Sequence, residues 1–286
     1  MTGQGTRQLL AEAAGRLELA GVPSAEYDAA ELLAHVLGTS RGRLFLAAEI
    51  TEPQRAAFAD LVDRRVRREP LQHLTGTVAF RYVELAVGPG VFVPRPETEL
   101  LAGWGVEQAR AVVASGRVPV VVDLCTGSGA MALALWDEVP SAEIHAVELG
   151  AEAHEWAARN LAGTSVDLRQ ADMAGAFEEL SGAVDVVVSN PPYIPLDAYE
   201  SVAPEARNYD PPMALWSGQD GLDAMNVVER TGARLLRAGG VLGAEHADVQ
   251  ADAVLAIFAG TGRWTEIRDC PDLTGRSRYV TARLAR

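Results

Sequence analysis

The chain has 286 residues, 48% of them hydrophobic and 22% charged, the composition of a globular protein with room for one large domain or two ordinary ones. Its formal net charge of −14 argues against a duplex-DNA binder that must neutralise many phosphates, and no direct nucleic-acid partner is expected. All 25 basic residues are Arg, which excludes P-loop and Schiff-base lysines at once. No apolar run reaches the roughly 18 residues of a membrane span. The first 16 residues lack a signal-peptide core. Cys125 and Cys270 are too few for a disulfide framework, so a cytoplasmic protein without membrane contact is expected. His35, His73, His145, His154 and His246 show no metal-ligand spacing, and no metal is expected.

Residues 1–75 read as an N-terminal helical domain. Leu9, Ala13 and Leu17 mark one helical face, and Ser24 can cap a second helix bearing Leu32, Leu33, Val36 and Leu37. Thr51, with Pro53 in the first turn and Gln54 three residues on, resembles a capping-box start. Phe58, Leu61, Val62 and Val66 then recur at helical spacing. Arg64, Arg65, Arg67 and Arg68 crowd the end of that helix. On a solvated face they offset the helix dipole; the alternative is a docking patch for an acidic protein partner. Residues 76–96 change period. Val83, Leu85 and Val87 alternate, Gly88-Pro89-Gly90 turns, and Val91-Phe92-Val93 follows, a pattern that predicts a hairpin linker.

Residues 97–286 form the remaining domain, opened by a helix over Glu97–Val113. From Val118 the pattern alternates: strand Val120–Leu124, helix Gly129–Asp137, strand Ile144–Glu148, helix Ala151–Leu161, strand Val166–Ala171, strand Val184–Ser189. Asp220–Arg237 reads as helix, Gly239-Gly240 as a turn into strand Val241–Glu245, and Val249–Phe258 as helix. Thr265–Asp269 and Arg278–Arg283 read as a closing antiparallel pair. Such alternation predicts a doubly wound α/β sheet.

Cys125-Thr126-Gly127-Ser128-Gly129 follows the first of these strands. Gly127 and Gly129 permit a sharp turn and close approach to a ligand, and the helix N-terminus beyond offers N–H groups. Glu148, at the next strand end, can accept from two ribose hydroxyls; Asp172-Met173, at the third, can flank an adenine. Singly, each acidic residue is ordinary strand-end solvation. Gly127, Gly129 and Ala132 also fit a dinucleotide pattern, so a nicotinamide-dependent oxidoreductase competes. Asp123 beside the loop favours the cationic sulfonium of S-adenosylmethionine over a pyrophosphate.

Asn190-Pro191-Pro192-Tyr193 ends the strand Val184–Ser189. Consecutive prolines delete two N–H donors and fix φ twice, so the loop presents acceptors beside an aromatic ring. That arrangement suits a planar NH2 group held through its hydrogens while Tyr193 covers its flat face. Asn-Pro alone would mark only a turn.

At this point the chain resembles the HemK/PrmC family, the N5-glutamine methyltransferases of class 1 peptide chain release factors. The resemblance spans the helical domain, Gly90-Val91-Phe92-Val93-Pro94-Arg95-Pro96-Glu97-Thr98-Glu99, both loops, Asp220-Gly221-Leu222-Asp223 and Asp272-Leu273-Thr274-Gly275-Arg276. It implies a class I, Rossmann-like, seven-stranded methyltransferase domain, S-adenosylmethionine as methyl donor with S-adenosylhomocysteine as product, and a glutamine in a Gly-Gly-Gln loop as acceptor. It also implies that the helical domain docks the release factor, and a monomer is expected. Carried over, Cys125 to Gly129 wrap the methionine portion, Glu148 takes the ribose and Met173 lies by the adenine. Asn190 and the Pro191 carbonyl hold the glutamine amide, with Pro192 and Tyr193 against it, and Asn190 also borders the bound cofactor. Cys125 stands where glycine is common, Glu148 where aspartate is common, and Met173 where an aromatic is common. A ribosomal-protein glutamine, an adenine amino group and a non-catalytic nucleotide-binding module remain as alternatives.

Overall fold

The computed structural model describes residues 2–46 and 50–285 and divides into two compact units. The first takes the chain up to Thr77 together with Ala203–Tyr209. It contains α1 (Thr2–Leu19), α2 (Ala25–Leu37), α3 (Glu52–Val66) and α4 (Leu71–Thr75). Leu17, Leu32 and Leu33 are fully buried and pack with Ala13, Phe58 and Val62, so the helical spacings of the sequence fall on one core. Ser24 occupies the N-cap of α2 but its side chain makes no capping bond. At α3 the Gln54 side chain returns to accept from the Thr51 backbone N–H at 2.9 Å.

Two of the four clustered arginines, Arg65 and Arg68, depart from the solvated-face expectation. Arg65 is 5% exposed and donates to Asp28 Oδ2 at 2.8 Å and Glu205 Oε1 at 2.9 Å. Arg68 grips both oxygens of Glu205 at 2.7 Å. These two cations are therefore internal ties that hold Ala203–Tyr209 against the helices. Their partner lies 140 residues from Arg65, beyond the reach of local periodicity.

The second unit, from Val78, opens within a two-stranded sheet of β1 (Thr77–Phe80) and β2 (Val83–Ala86). The expected hairpin exists, but it turns at Arg81-Tyr82, where Arg81 has φ +53°, and not at Gly88–Gly90. Val91 and Val93 are buried without joining a ladder. Then follow α5 (Thr98–Ala114), β3 (Val120–Leu124), α6 (Ala130–Glu138), β4 (Glu143–Glu148), α7 (Ala151–Asn160), β5 (Asp167–Gln170) and β6 (Val184–Ser189). After α8 (Pro204–Tyr209, in the first unit) come α9 (Pro212–Leu215), α10 (Asp223–Leu235), β7 (Leu236–Glu245), α11 (Ala251–Gly260), β8 (Trp264–Pro271) and β9 (Ser277–Leu284).

The main sheet has seven strands in the order β5-β4-β3-β6-β7-β9-β8. β5, β4, β3, β6 and β7 run parallel, and β9 and β8 close the sheet antiparallel. Its central strands are apolar runs buried on both faces; every residue of β6 is buried, as parallel strands under helices require. One core cluster joins α5 and α6 to one face, and another joins α10 and α11 to the other. This is the class I methyltransferase arrangement. Gly239-Gly240 lie within β7 rather than before it: Val184 pairs with Leu236 and Val186 with Val241, so the glycines absorb a bulge. α10 begins at Asp223, because Asp220 Oδ1 accepts from the Leu222 N–H and closes a turn first. No helix among the described residues is long and apolar enough to cross a membrane.

Candidate active site

The strand order reverses between β3 and β6, which run parallel as neighbours with Leu124 opposite Ser189. Loops leaving adjacent strand ends at such a switch point diverge and open a crevice at the carboxyl edge. Here it is a cavity of about 630 Å³, lined by the glycine loop from β3 and the Asn-Pro-Pro-Tyr loop from β6.

The glycine loop turns through three left-handed residues, Cys125 (φ +62°), Gly127 (φ +59°) and Gly129 (φ +85°). An L-residue bears a strain of about 1 kcal/mol or more in that region, which explains why glycine suits the position that Cys125 holds. Glu148 braces the turn. Its Oε2 accepts from the Gly127 N–H at 2.8 Å and its Oε1 from the Gly150 N–H at 2.7 Å. Each oxygen keeps a lone pair for a further donor. Cys125 Sγ lies 3.4 Å from Met173 Sδ, making a soft sulfur floor. Burial, aided by Glu148 and Asp123, pushes the Cys125 thiol far above its ordinary range, so it stays protonated and is no nucleophile.

Asp123 does not face the cavity. It is fully buried beneath the loop, and its Oδ2 accepts from the Thr126 hydroxyl at 2.6 Å. Burial raises its pKa to about 7 against the opposing pull of Thr126 and the Ala132 backbone. The sequence places Asp123 beside the loop; the structure sets it behind the loop, which it stiffens through Thr126.

At the other loop a buried chain of hydrogen bonds runs through Glu245, the last residue of β7. Asn190 Nδ2 donates to Thr98 Oγ1 at 3.2 Å, and Thr98 Oγ1 donates to Glu245 Oε2 at 2.7 Å. The Tyr193 hydroxyl donates to Glu245 Oε1 at 3.0 Å. Glu245 is 1% exposed; burial pushes its carboxyl up, opposed by these two donors and by the Arg278 cation. Tyr193 is driven well above the usual phenol range by burial and by Glu245, so it remains a neutral donor. From behind, Gln250 Nε2 donates to the Tyr193 carbonyl at 2.9 Å. Gly221, at φ +78°, leaves room for that carbonyl: a Cβ there would stand 2.2 Å from it.

Of the residues singled out from sequence, Cys125, Thr126, Gly127, Ser128, Glu148, Met173, Asn190, Pro192 and Tyr193 line the one cavity. Gly129 and Pro191 are buried and do not line it. Gly129 instead turns the chain into α6, and a Cβ there would press on Leu161 at 3.2 Å. Thr98 and Glu245 carried no role in the sequence reading. The available signals were Thr98's place inside the Pro94–Glu99 stretch and a carboxylate at the end of the apolar run Val241–Ala244.

These groups fit an adenosyl sulfonium ligand. Glu148 offers paired acceptors for vicinal hydroxyls, and Cys125 with Met173 offers a polarisable apolar surface. A diphosphate fits poorly, because the Gly127 N–H that would receive it is already bonded to a carboxylate. Among the described residues no group of three His, Cys, Asp or Glu is gathered to hold a metal.

Two family models match the chain: the PrmC N-terminal domain over residues 8–76, and the methyltransferase small domain over residues 111–203. A relative from Streptomyces coelicolor named release factor glutamine methyltransferase is 53% identical, covering 96% of this chain and 97% of its own. A relative from Streptomyces pristinaespiralis named 4-amino-L-phenylalanine/4-methylamino-L-phenylalanine methyltransferase is 43% identical over 92% of this chain and 90% of its own. Among solved structures, a methyltransferase from Pyrococcus furiosus superposes with a TM-score of 0.51 at 17% identity, covering 78% of this chain and 98% of its own, a likeness of fold.

Proposed function

The chain belongs to the family of release factor glutamine methyltransferases, and from that membership we propose how its site acts. It transfers a methyl group from S-adenosylmethionine to the side-chain amide nitrogen of the glutamine in the Gly-Gly-Gln motif of class 1 peptide chain release factors. The observation that carries this reading is the opposition, across one cavity, of a braced glycine loop and a loop in which Pro191 and Pro192 remove two backbone N–H donors.

When bound, the donor supplies an electrophilic methyl group on sulfur. Glu148 accepts the ribose hydroxyls with the lone pairs left after Gly127 and Gly150. Cys125 and Met173 cover the apolar parts, Met173 beside the adenine. The Asn190 carboxamide oxygen accepts one N–H of the substrate amide and Tyr193 packs against its plane; the Pro191 carbonyl is the second acceptor that the family resemblance implies, although Pro191 itself does not line the cavity. Amide nitrogen is a poor nucleophile because its lone pair is shared with the carbonyl. Holding both hydrogens turns that lone pair toward the methyl group, and alignment of this kind can supply roughly 7–11 kcal/mol. The nitrogen becomes positive as the new C–N bond forms, so the same oxygens bind the transition state more tightly than the ground state. The methyl–sulfur bond would break as the C–N bond forms, the neutral thioether of S-adenosylhomocysteine would leave, and the surplus proton would pass to water. The N-terminal helical unit, residues 1–75 as read from sequence, docks the release factor, and residues 97–286 carry the chemistry.

The test is a methylation assay with purified release factor, its Gln→Asn variant, ribosomal subunits, duplex DNA and free 4-amino-L-phenylalanine as rival acceptors. Incorporation confined to the Gly-Gly-Gln glutamine, located by peptide mass spectrometry, is the expected result. Labelling of a rival with an unlabelled release factor would replace this reading.

A further inference from the structure

Three polar groups that line the cavity are tied to one buried carboxylate, Thr98 and Tyr193 directly and Asn190 through Thr98, and counting hydrogens assigns each a direction. Thr98 has a single hydroxyl hydrogen, and at 2.7 Å it lies on Glu245 Oε2. Its remaining contact, 3.2 Å to the Asn190 carboxamide, must then be one in which Thr98 accepts. Asn190 therefore presents NH2 to Thr98 and turns its oxygen away from it. Tyr193 likewise directs its only hydroxyl hydrogen to Glu245 Oε1 at 3.0 Å, so it has none to offer a ligand. With Glu245 ionised, the state that its two donors and the Arg278 cation favour against its burial, the carboxylate only accepts and propagates one polarity through two side chains.

We propose that Glu245 and Thr98 are positioning residues that fix Asn190 with its oxygen toward the acceptor, so that the site receives a hydrogen-donating NH2 group and rejects a carboxylate. This deepens the function proposed above and rests on it for the identity of the acceptor. Neither residue touches the reacting atoms in this scheme; both act through Asn190 and Tyr193. An isolated Asn190 could rotate by half a turn and offer NH2 instead, which would repel the substrate's own N–H groups. Thr98 lies 92 residues from Asn190, and Glu245 lies 147 residues from Thr98. The arrangement exists only because the start of α5 and the end of β7 flank the end of β6.

The experiment compares Thr98→Val, Thr98→Ser and Glu245→Gln with the native protein by two readouts. The first is steady-state methylation of the Gly-Gly-Gln release factor, alongside calorimetric titration of S-adenosylhomocysteine. Thr98→Val and Glu245→Gln should lower kcat at least tenfold with cofactor affinity within twofold, and Thr98→Ser should return kcat to within threefold of native. The second is NMR of the Asn190 side-chain NH2, assigned by its loss in Asn190→Asp. Its hydrogen exchange should be at least tenfold slower in the native protein and in Thr98→Ser than in Thr98→Val. Thr98→Val with near-native kcat, Thr98→Ser as slow as Thr98→Val, or an equally protected Asn190 amide in all variants would overturn the proposal. A native protein that binds the cofactor but leaves the release factor unmethylated would instead retire the proposed acceptor, and the NMR readout then decides the positioning role by itself.

Discussion

Ser189 and Leu124, the last residues of β6 and β3, stand opposite one another, and the Ser189 hydroxyl donates to the Leu124 carbonyl at 2.8 Å. The bond clamps the two strand ends from which the donor-side and acceptor-side loops depart. Ser189 is fully buried, so no water competes for it. Ser189→Ala should lower stability by about 1 kcal/mol, the usual net worth of such a bond. Urea unfolding should show this as a lower midpoint with an unchanged slope.

Asn190→Ala removes the carboxamide oxygen while leaving the glycine loop, Glu148 and the sulfur floor in place. Cofactor affinity should stay within a few fold, and turnover should fall by about 10²–10³, the range seen when one preorganised hydrogen-bond partner of a transition state is deleted. Calorimetry beside a single-turnover assay separates the two effects. Normal binding with near-native turnover would remove Asn190 from the mechanism.

Glu148 does two jobs at once, bracing the Gly127 and Gly150 N–H groups and facing the cavity. Glu148→Ala should weaken adenosyl-ligand binding by about ten- to a hundredfold, as expected for charge-assisted hydrogen bonds of roughly 1.5–3 kcal/mol. Glu148→Gln keeps one acceptor and should fall between. Equal affinities for all three proteins, by titration, would exclude Glu148 from the ligand.

Asp123 sets a pH dependence of folding. Its folded pKa of about 7 lies above its ordinary value of 3.8 because burial disfavours the charged form. Between those values the folded protein retains a proton that the unfolded chain has released. Stability from this group is therefore greatest at low pH, declines as pH rises from about 4 to about 7, and is level above. Asp123→Asn cannot ionise and should lack that decline. Within the window the native protein should lose about 1.4 kcal/mol for each tenfold fall in proton concentration. Denaturant titrations at pH 5, 6, 7 and 8 should therefore show the two proteins diverging up to about pH 7 and running level beyond it. Parallel curves would show that Asp123 contributes no such linkage.

Much of the architecture was legible along the chain. The apolar runs Val120–Leu124 and Val184–Ser189, the glycines after the first and the prolines after the second fix strand, turn and loop by local sterics, within a few residues of each other. The errors share a cause. Gly88-Pro89-Gly90 and Gly239-Gly240 have turn chemistry, yet the hairpin turns at Arg81-Tyr82 and the second pair is drawn into β7 by pairing with β6. Arg65 and Arg68 look solvated until Glu205 arrives from far along the chain.

By itself, then, the sequence determined which residues carry chemistry-bearing loops and the family to which the whole length belongs, because those are properties of short contiguous stretches. Only the tertiary structure decided that Asp123 turns inward and that Thr98 and Glu245 stand behind Asn190 and Tyr193. Those hydrogen bonds join residues 52 to 147 positions apart. Strand order brings such residues together, and no periodicity of 2 or 3.6 encodes strand order.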